Sequence, residues 1–375
     1  MIPLQKNAGA VKRFAWATKL SAWLQGLPNQ LTPPPFRLMQ IGSLFWQSRA
    51  LDVAARLDIA TVLGDNTLDA REIASRVGSS ADATARLLRL LAAMGVFEET
   101  SAQVYRNNKL SQCLRADQPD NVRAMVLMHN SQTMSLPWFE QLERGVREGL
   151  PPFRLAHGED LYEFSDHHAD FDKLFSEAMD SVEALTGDSF ATDFEWGRFK
   201  RIIDIGGSRG TKSLAILRRH AHLKALVVDR AQVIMEAQAH WRAHPTSGTE
   251  RLQFQAGDLL ASVPPAQSET DIYLLSGVLH GFDDETCVQA LSNLARASGG
   301  SGALVAVMEM VLPERKADLA SASFDMQMFM GTRGRERTLA QWQALLARSD
   351  MALEEVVGLQ SFASILVLRP ANGLE

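Results

Sequence analysis

The sequence predicts a two-part protein: a mainly α-helical N-terminal part with a winged-helix pattern, then an α/β C-terminal part built on parallel strands. Three observations predict it. An apolar strand runs straight into a glycine-rich turn at Ile202–Gly210 (IIDIGGSRG), and TKSLAILRR then reads as a helix. Four further apolar strands follow, each bringing a polar residue towards its carboxyl end: Asp229 in LKALVVDR, Asp258 in LQFQAGDLL, His280 in TDIYLLSGVLHGFDDE and Glu309 in GALVAVMEMVLPE. Ligands bind at that end of the strands in open α/β sheets. Upstream, TLDAREIASRVG and SADATARLLRLLAAMG form a helix-turn-helix-like pair, and VFEETSAQVYRNNKLSQCL reads as a hairpin wing.

At 375 residues the chain is long enough for two domains, and 46% hydrophobic with 22% charged residues is ordinary for a soluble globular protein. A net charge of −6 argues against a nucleic-acid partner. Two cysteines, Cys113 and Cys287, make no disulfide framework and fit a reducing cytoplasm. No apolar run reaches the roughly 18 residues that span a bilayer.

Taken in order, residues 1–36 form a basic extension. Lys6, Lys12, Arg13, Lys19, Arg37 and Arg49 all precede the first acid, Asp52. VKRFAWATKLSAWLQGL is an amphipathic helix ending before Pro28; it packs on protein or makes a weak membrane-surface contact. LTPPPF is a rigid polyproline linker. Residues 37–130 hold the winged-helix pattern, opened by one helix over FWQSRALDVAARLDIATVL. Helices PWFEQLERGVREG and DFDKLFSEAMDSVEALTGDSF fill residues 131–195 as a connector and lid. The α/β part, 196–375, closes with LEEVVGL and SILVLRP as an antiparallel pair at the sheet edge.

Glycines in the turn let the backbone bend sharply and let a ligand approach main-chain N–H groups. A dinucleotide fingerprint would need glycine at Ser208 and Thr211, whereas the S-adenosylmethionine (SAM) pattern D-x-G-x-G-x-G fits Asp204, Gly206 and Gly210 with Ser208 in place of the middle glycine. From about Leu38 to Pro370 the chain resembles the SAM-dependent O-methyltransferases of the caffeic acid, hydroxyindole and antibiotic-tailoring type. VVDRAQVIMEA, GDLLASVP, VLHGFDDE and GRERT follow the glycine loop in the family's order. Ser276 stands where the family usually has Lys or Arg near the adenine, and Gly281 and Phe282 replace its Asp and Trp.

The resemblance implies a Rossmann-like class I methyltransferase domain with a mixed seven-stranded sheet, and an N-terminal domain that builds a homodimer rather than binding DNA. It implies SAM as cofactor, contacted by Asp204, Gly206, Gly207, Gly210, Asp229, Arg230, Asp258, Leu259 and Ser276. His280 takes the role of general base, with Glu309 and Glu336 orienting it. An ordinary histidine pKa of roughly 6.5 leaves such a base largely neutral at pH 7. Phe175, Met179, Asp325, Met326, Phe329 and Met330 are the implied walls of a pocket for a planar aromatic hydroxyl compound. No metal-ligand set is read: His240 and His244 have helical spacing but no third ligand. Two rivals remain at this stage, a SAM-binding enzyme turned to other chemistry and a ligand-sensing winged-helix regulator.

Overall fold

The computed structural model describes residues 3–371, which divide into two units: Trp23–Thr186, and Gly187–Glu375 together with Met1–Ala22. Residues 1–22 therefore belong with the C-terminal unit, where the sequence sets 1–36 apart as an extension.

The reason lies at Pro3–Asn7. Leu4 is buried in the C-terminal unit, and the Leu4 and Gln5 N–H groups donate to the Glu355 carboxylate. The Gln5 amide exchanges hydrogen bonds with Gly358, and Lys6 N–H donates to the Asp193 carbonyl. The following helix runs over Ala8–Leu31 and passes through Pro28, where the sequence places its end. A proline removes its own N–H from the ladder and crowds the carbonyl four residues earlier, and here it lies in the last turn, so the disruption is confined to the end of the helix. The expected polyproline linker is also shorter. Pro33 is extended (φ −54°, ψ 138°), but a new helix, Pro34–Gly42, already starts at the next residue, since proline's fixed φ suits a first helical position.

In the N-terminal unit the helix expected over Phe45–Leu63 is broken. Asp58 adopts φ 54° between helices Leu44–Arg56 and Ile59–Leu63. The winged pair is present as Ala70–Val77, capped by the Asp69 carboxylate, and Ala81–Ala93. The wing has three strands: β1 (Thr67–Asp69), β2 (Phe97–Ser101) and β3 (Val104–Asn107), with β3 central and both neighbours antiparallel to it. Ile59, Leu63, Ile73, Leu88, Leu91 and Tyr105 form its core.

The C-terminal sheet contains β4 (Arg201–Ile205), β5 (Lys224–Asp229), β6 (Leu252–Ala256), β7 (Asp271–Ser276), β8 (Leu304–Leu312), β9 (Arg337–Thr338), β10 (Met351–Gly358) and β11 (Ala363–Pro370). The spatial order is β10-β11-β8-β7-β4-β5-β6, with β9 beside β8. β11 is antiparallel to β8, β10 is antiparallel to β11, and the other pairs are parallel. The sheet is thus mixed, with the short β9 added to the expected seven strands. Successive residues point to opposite faces, so Ile202, Leu274, Ala306 and Val367 enter one core while Ile203, Leu275, Val307 and Leu368 enter the other. Strand order reverses between β4 and β7, which opens a crevice at their carboxyl ends. No helix among the described residues is long and apolar enough to cross a membrane.

Candidate active site

The loop after β4 needs its glycines. Gly206 and Gly210 have φ of +70° and +74°, and a Cβ on either would fall 2.8 Å from Val278 or 2.7 Å from Val227. A Cβ on Gly207 would fall 2.5–2.8 Å from the Asp204 carboxyl, which is buried beneath the loop and accepts a 2.7 Å hydrogen bond from Ser213 Oγ. Ser208 also has positive φ, 52°, so its position favours glycine and the serine is held there under strain. Its N–H donates to Asp229 Oδ2 at 2.9 Å, and the Arg230 N–H donates to Asp229 Oδ1 at 2.7 Å. The half-buried Asp229 at the end of β5 keeps further lone pairs for ligand hydroxyls. Arg230 is exposed as the N-cap of helix Ala231–Ala243. Asp258 is exposed and closes a turn by accepting the Leu260 N–H; Leu259 is half-buried against the core, and Ser276 ends β7. Backbone room at the loop and an acid at the neighbouring strand end fit a nucleoside-bearing cofactor.

The strand expected to end at His280 stops at Ser276. Gly277 (φ +62°) turns the chain, and His280 sits on a single 3₁₀ turn, Leu279–Gly281. Glu309, fully buried on β8, holds this turn by its backbone. Its Oε1 accepts from the N–H groups of Val278 (3.0 Å), Leu279 (2.9 Å) and His280 (3.4 Å). Glu336 is the acid that meets the imidazole, with Oε1 2.7 Å from Nδ1, while Glu309 Oε2 lies 3.6 Å away. Asp325 Oδ1 accepts the Glu336 N–H at 2.9 Å, which makes it a support for Glu336 as well as a wall candidate.

These contacts overturn the expectation of a largely neutral His280. Burial disfavours the imidazolium, but the Glu309 charge and the Glu336 hydrogen bond outweigh it and push the pKa up to about 9. Burial pushes Glu309 up in turn, against the opposing pull of His280. The surroundings of His280 therefore favour its charged form rather than a neutral base. The donor atoms of His280, Glu309 and Glu336 also lie within 4.8 Å of one another, a set of metal-ligand dimensions that spacing along the chain did not reveal. Their contacts point inward, His280 to Glu336 and Glu309 to the turn, an arrangement suited to holding a proton.

Three contributors escaped the sequence reading. Arg337 is buried and grips the His280 turn, donating to the carbonyls of Leu279 (3.2 Å) and Phe282 (3.0 Å) and to Asp284 (2.7 Å), with its guanidinium over Trp342. Gly334 is obligatory, because a Cβ there would lie 1.8 Å from the His280 carbonyl oxygen. Phe324 places its ring 6.0 Å from the imidazole. On the same helix, Leu319–Gly331, Met326 is exposed, Phe329 is half-buried and Met330 is fully buried in the fold. Phe175 and Met179 lie on helix Ala169–Thr186 of the other unit, half-buried and exposed respectively.

A doubly wound sheet with a glycine loop and acid at its switch point, and a histidine–carboxylate cluster beyond β7, defines a SAM-dependent methyltransferase. The chain belongs to the O-methyltransferase family: residues 139–351 match its O-methyltransferase domain and residues 39–117 its dimerisation domain. The winged pattern thus falls in a dimerisation segment. The chain is 30% identical to the phenazine O-methyltransferase PhzM of Lysobacter antibioticus over 89% of its own length and 95% of that protein. It is equally, 30%, identical to the phenazine-1-carboxylate N-methyltransferase of Pseudomonas aeruginosa, over 88% and 96%. The structure of CalO1, a methyltransferase in calicheamicin biosynthesis in its SAH-bound form, superposes with a TM-score of 0.77 at 29% identity, covering 90% of this chain and 98% of that one.

Proposed function

We propose that this chain transfers the methyl group of SAM to a hydroxyl of a planar aromatic or heteroaromatic small molecule, in the tailoring of an antibiotic or pigment, with His280 as the general base. The observation that carries the reading is His280 held at 2.7 Å by Glu336 on a turn pinned by Glu309. When bound, SAM supplies an electrophilic methyl on a sulfonium. Gly206, Gly207, Gly210, Asp229, Arg230, Asp258, Leu259 and Ser276 hold that cofactor, while Asp204 supports the loop from below. The glycine loop meets the His280 turn directly, since Gly206 abuts Val278. The base and the cofactor site are therefore neighbours.

The base needs its proton gone before it acts. Its raised pKa means that only about one molecule in a hundred is ready at pH 7, so methyl transfer should quicken as pH rises towards 9. Glu336 fixes which nitrogen carries the proton and stabilises the imidazolium formed when the acceptor hydroxyl is deprotonated. Phe324, Met326 and Phe329 supply flat and adaptable apolar surface on the base's side of the pocket. The matched dimerisation domain, with Leu44, Phe45 and Trp46 about half exposed within it, supports a homodimer.

His280→Ala tests the base. SAM affinity should stay within about twofold while kcat falls by about 10²–10⁴, with partial recovery at high pH where the acceptor ionises unaided. Wild-type turnover at pH 7 in this variant would refute the role. A nitrogen acceptor is the second reading, favoured by the likeness to an N-methyltransferase. A variant that still methylates amines at full rate but not phenols would select it.

A further inference from the structure

Two carboxylates face His280, and they are held in different ways. Glu309 is clamped through its own side chain, whose Oε1 accepts three backbone N–H groups. Glu336 has no such clamp. Its Oε1 meets His280 Nδ1 at 2.7 Å, and its Oε2 is buried with no hydrogen-bond partner. An unmatched buried acceptor carries a desolvation cost, so it persists only where the surrounding structure imposes its position. The place of this carboxylate is therefore set by the backbone that carries it.

That backbone is held from two sides. After Glu336 the chain enters β9, and Arg337 grips the carbonyls of Leu279 and Phe282. At Glu336 itself the N–H donates to Asp325 Oδ1 at 2.9 Å, across 11 residues of sequence. Asp325 belongs to helix Leu319–Gly331, which also carries Met326, Phe329 and Phe324, the last with its ring 6.0 Å from the imidazole. The chain between helix and Glu336 is fixed as well. Thr332 Oγ1 donates to the Met328 carbonyl at 2.8 Å and accepts the Gly334 N–H at 3.1 Å. Gly334 then passes against the His280 carbonyl with no room for a side chain.

We propose that Asp325 is a positioning residue: it holds the Glu336 backbone so that the carboxylate stays against His280 Nδ1, and it thereby ties the acceptor-side helix to the base. The charges that act on the His280 ring come from Glu309 and Glu336, and Asp325 is not among them. Its half-buried side chain works as an acceptor at a fixed place, through Glu336. The catalytic meaning of that hold rests on His280 acting as the base. A substitution that shifts the helix to suit a different acceptor molecule then also moves the acid beside the base.

A histidine-labelled NMR titration of the cofactor-free full chain tests this without any acceptor molecule, with His280→Ala assigning the resonance. Asp325→Ala frees the Glu336 N–H, and the His280 pKa should fall by about half to one unit, because a carboxylate that withdraws stabilises the imidazolium less. Asp325→Asn keeps an accepting oxygen in place and should leave the value within about 0.3 units of wild type. In a Glu336→Gln background Asp325→Ala should shift it by no more than about 0.3 units further, as expected of two residues that act in series. S-adenosylhomocysteine affinity within about twofold of wild type by calorimetry shows the fold intact. If Asp325→Ala loses that binding, Asp325→Leu, which fills the space without an acceptor, takes its place. An unmoved His280 pKa in Asp325→Ala, an equal fall in Asp325→Asn, or a full further fall in the Glu336→Gln background would each overturn the proposal. Since none of these readings uses turnover, they stand apart from a failure of the base role itself, which shows as wild-type turnover in His280→Ala.

Discussion

Glu336→Gln separates the electrostatic from the steric contribution of the carboxylate beside His280. The change keeps the shape and leaves an oxygen able to accept from Nδ1–H, but removes the charge 2.7 Å away. A hydrogen bond to a charged partner is worth about 1.5–3 kcal/mol, and one pKa unit is about 1.4 kcal/mol. A carboxylate favours the imidazolium, so its loss lowers the pKa. Starting from about 9, the value should fall by roughly one to two units. The neutral fraction at pH 7 then rises from about 1% to about 10–50%. Turnover is the wrong assay, because a better populated base is offset by a worse oriented one. The right assay is a histidine-labelled NMR titration of the cofactor-free protein, with His280→Ala assigning the resonance. A pKa that stays within about 0.3 units of wild type, or rises, would show that Glu309 alone sets the proton affinity and refute the argument.

Two more expectations concern the cofactor and the assembly. Asp229→Ala removes a carboxylate that takes the Ser208 and Arg230 N–H groups, so S-adenosylhomocysteine affinity measured by calorimetry should fall by about 1.5–3 kcal/mol; unchanged affinity would place the cofactor elsewhere. Light scattering at micromolar concentration should give the mass of two 41.3 kDa chains, and a monomeric mass would overturn the homodimer.

Much of the catalytic unit was legible because its signals are local. Apolar strands, a glycine turn and acids at strand ends occur within a few residues of one another. The motif order located His280, Glu309 and Glu336, yet it assigned both acids the same task. Only the fold shows that Glu309 holds the turn by three backbone N–H groups while Glu336 faces the ring. Arg337 was hidden in the GRERT motif because its partners, Leu279, Phe282 and Asp284, are more than 50 residues away. The histidine's proton affinity was misjudged for the same reason, since it depends on two distant carboxylates. Boundaries failed where one residue overrode a pattern: Asp58 at positive φ split a continuous apolar helix, and Pro34 began a helix where three prolines suggested a linker.

The strap at Pro3–Asn7 bears on how the chain comes to be folded at all. Leu4 and Gln5 bond to Glu355, 351 and 350 positions later, and the whole N-terminal unit intervenes between the two parts of the C-terminal unit. Contacts of that span raise the contact order, and their loop-closure cost has to be met before the pairing stabilises the unit. During synthesis Leu4 and Gln5 emerge about 350 residues ahead of the Glu355 carboxylate they bond. Trp23–Thr186 can meanwhile condense around its own core. Completion of the C-terminal unit thus depends on a contact that spans the whole N-terminal unit in sequence.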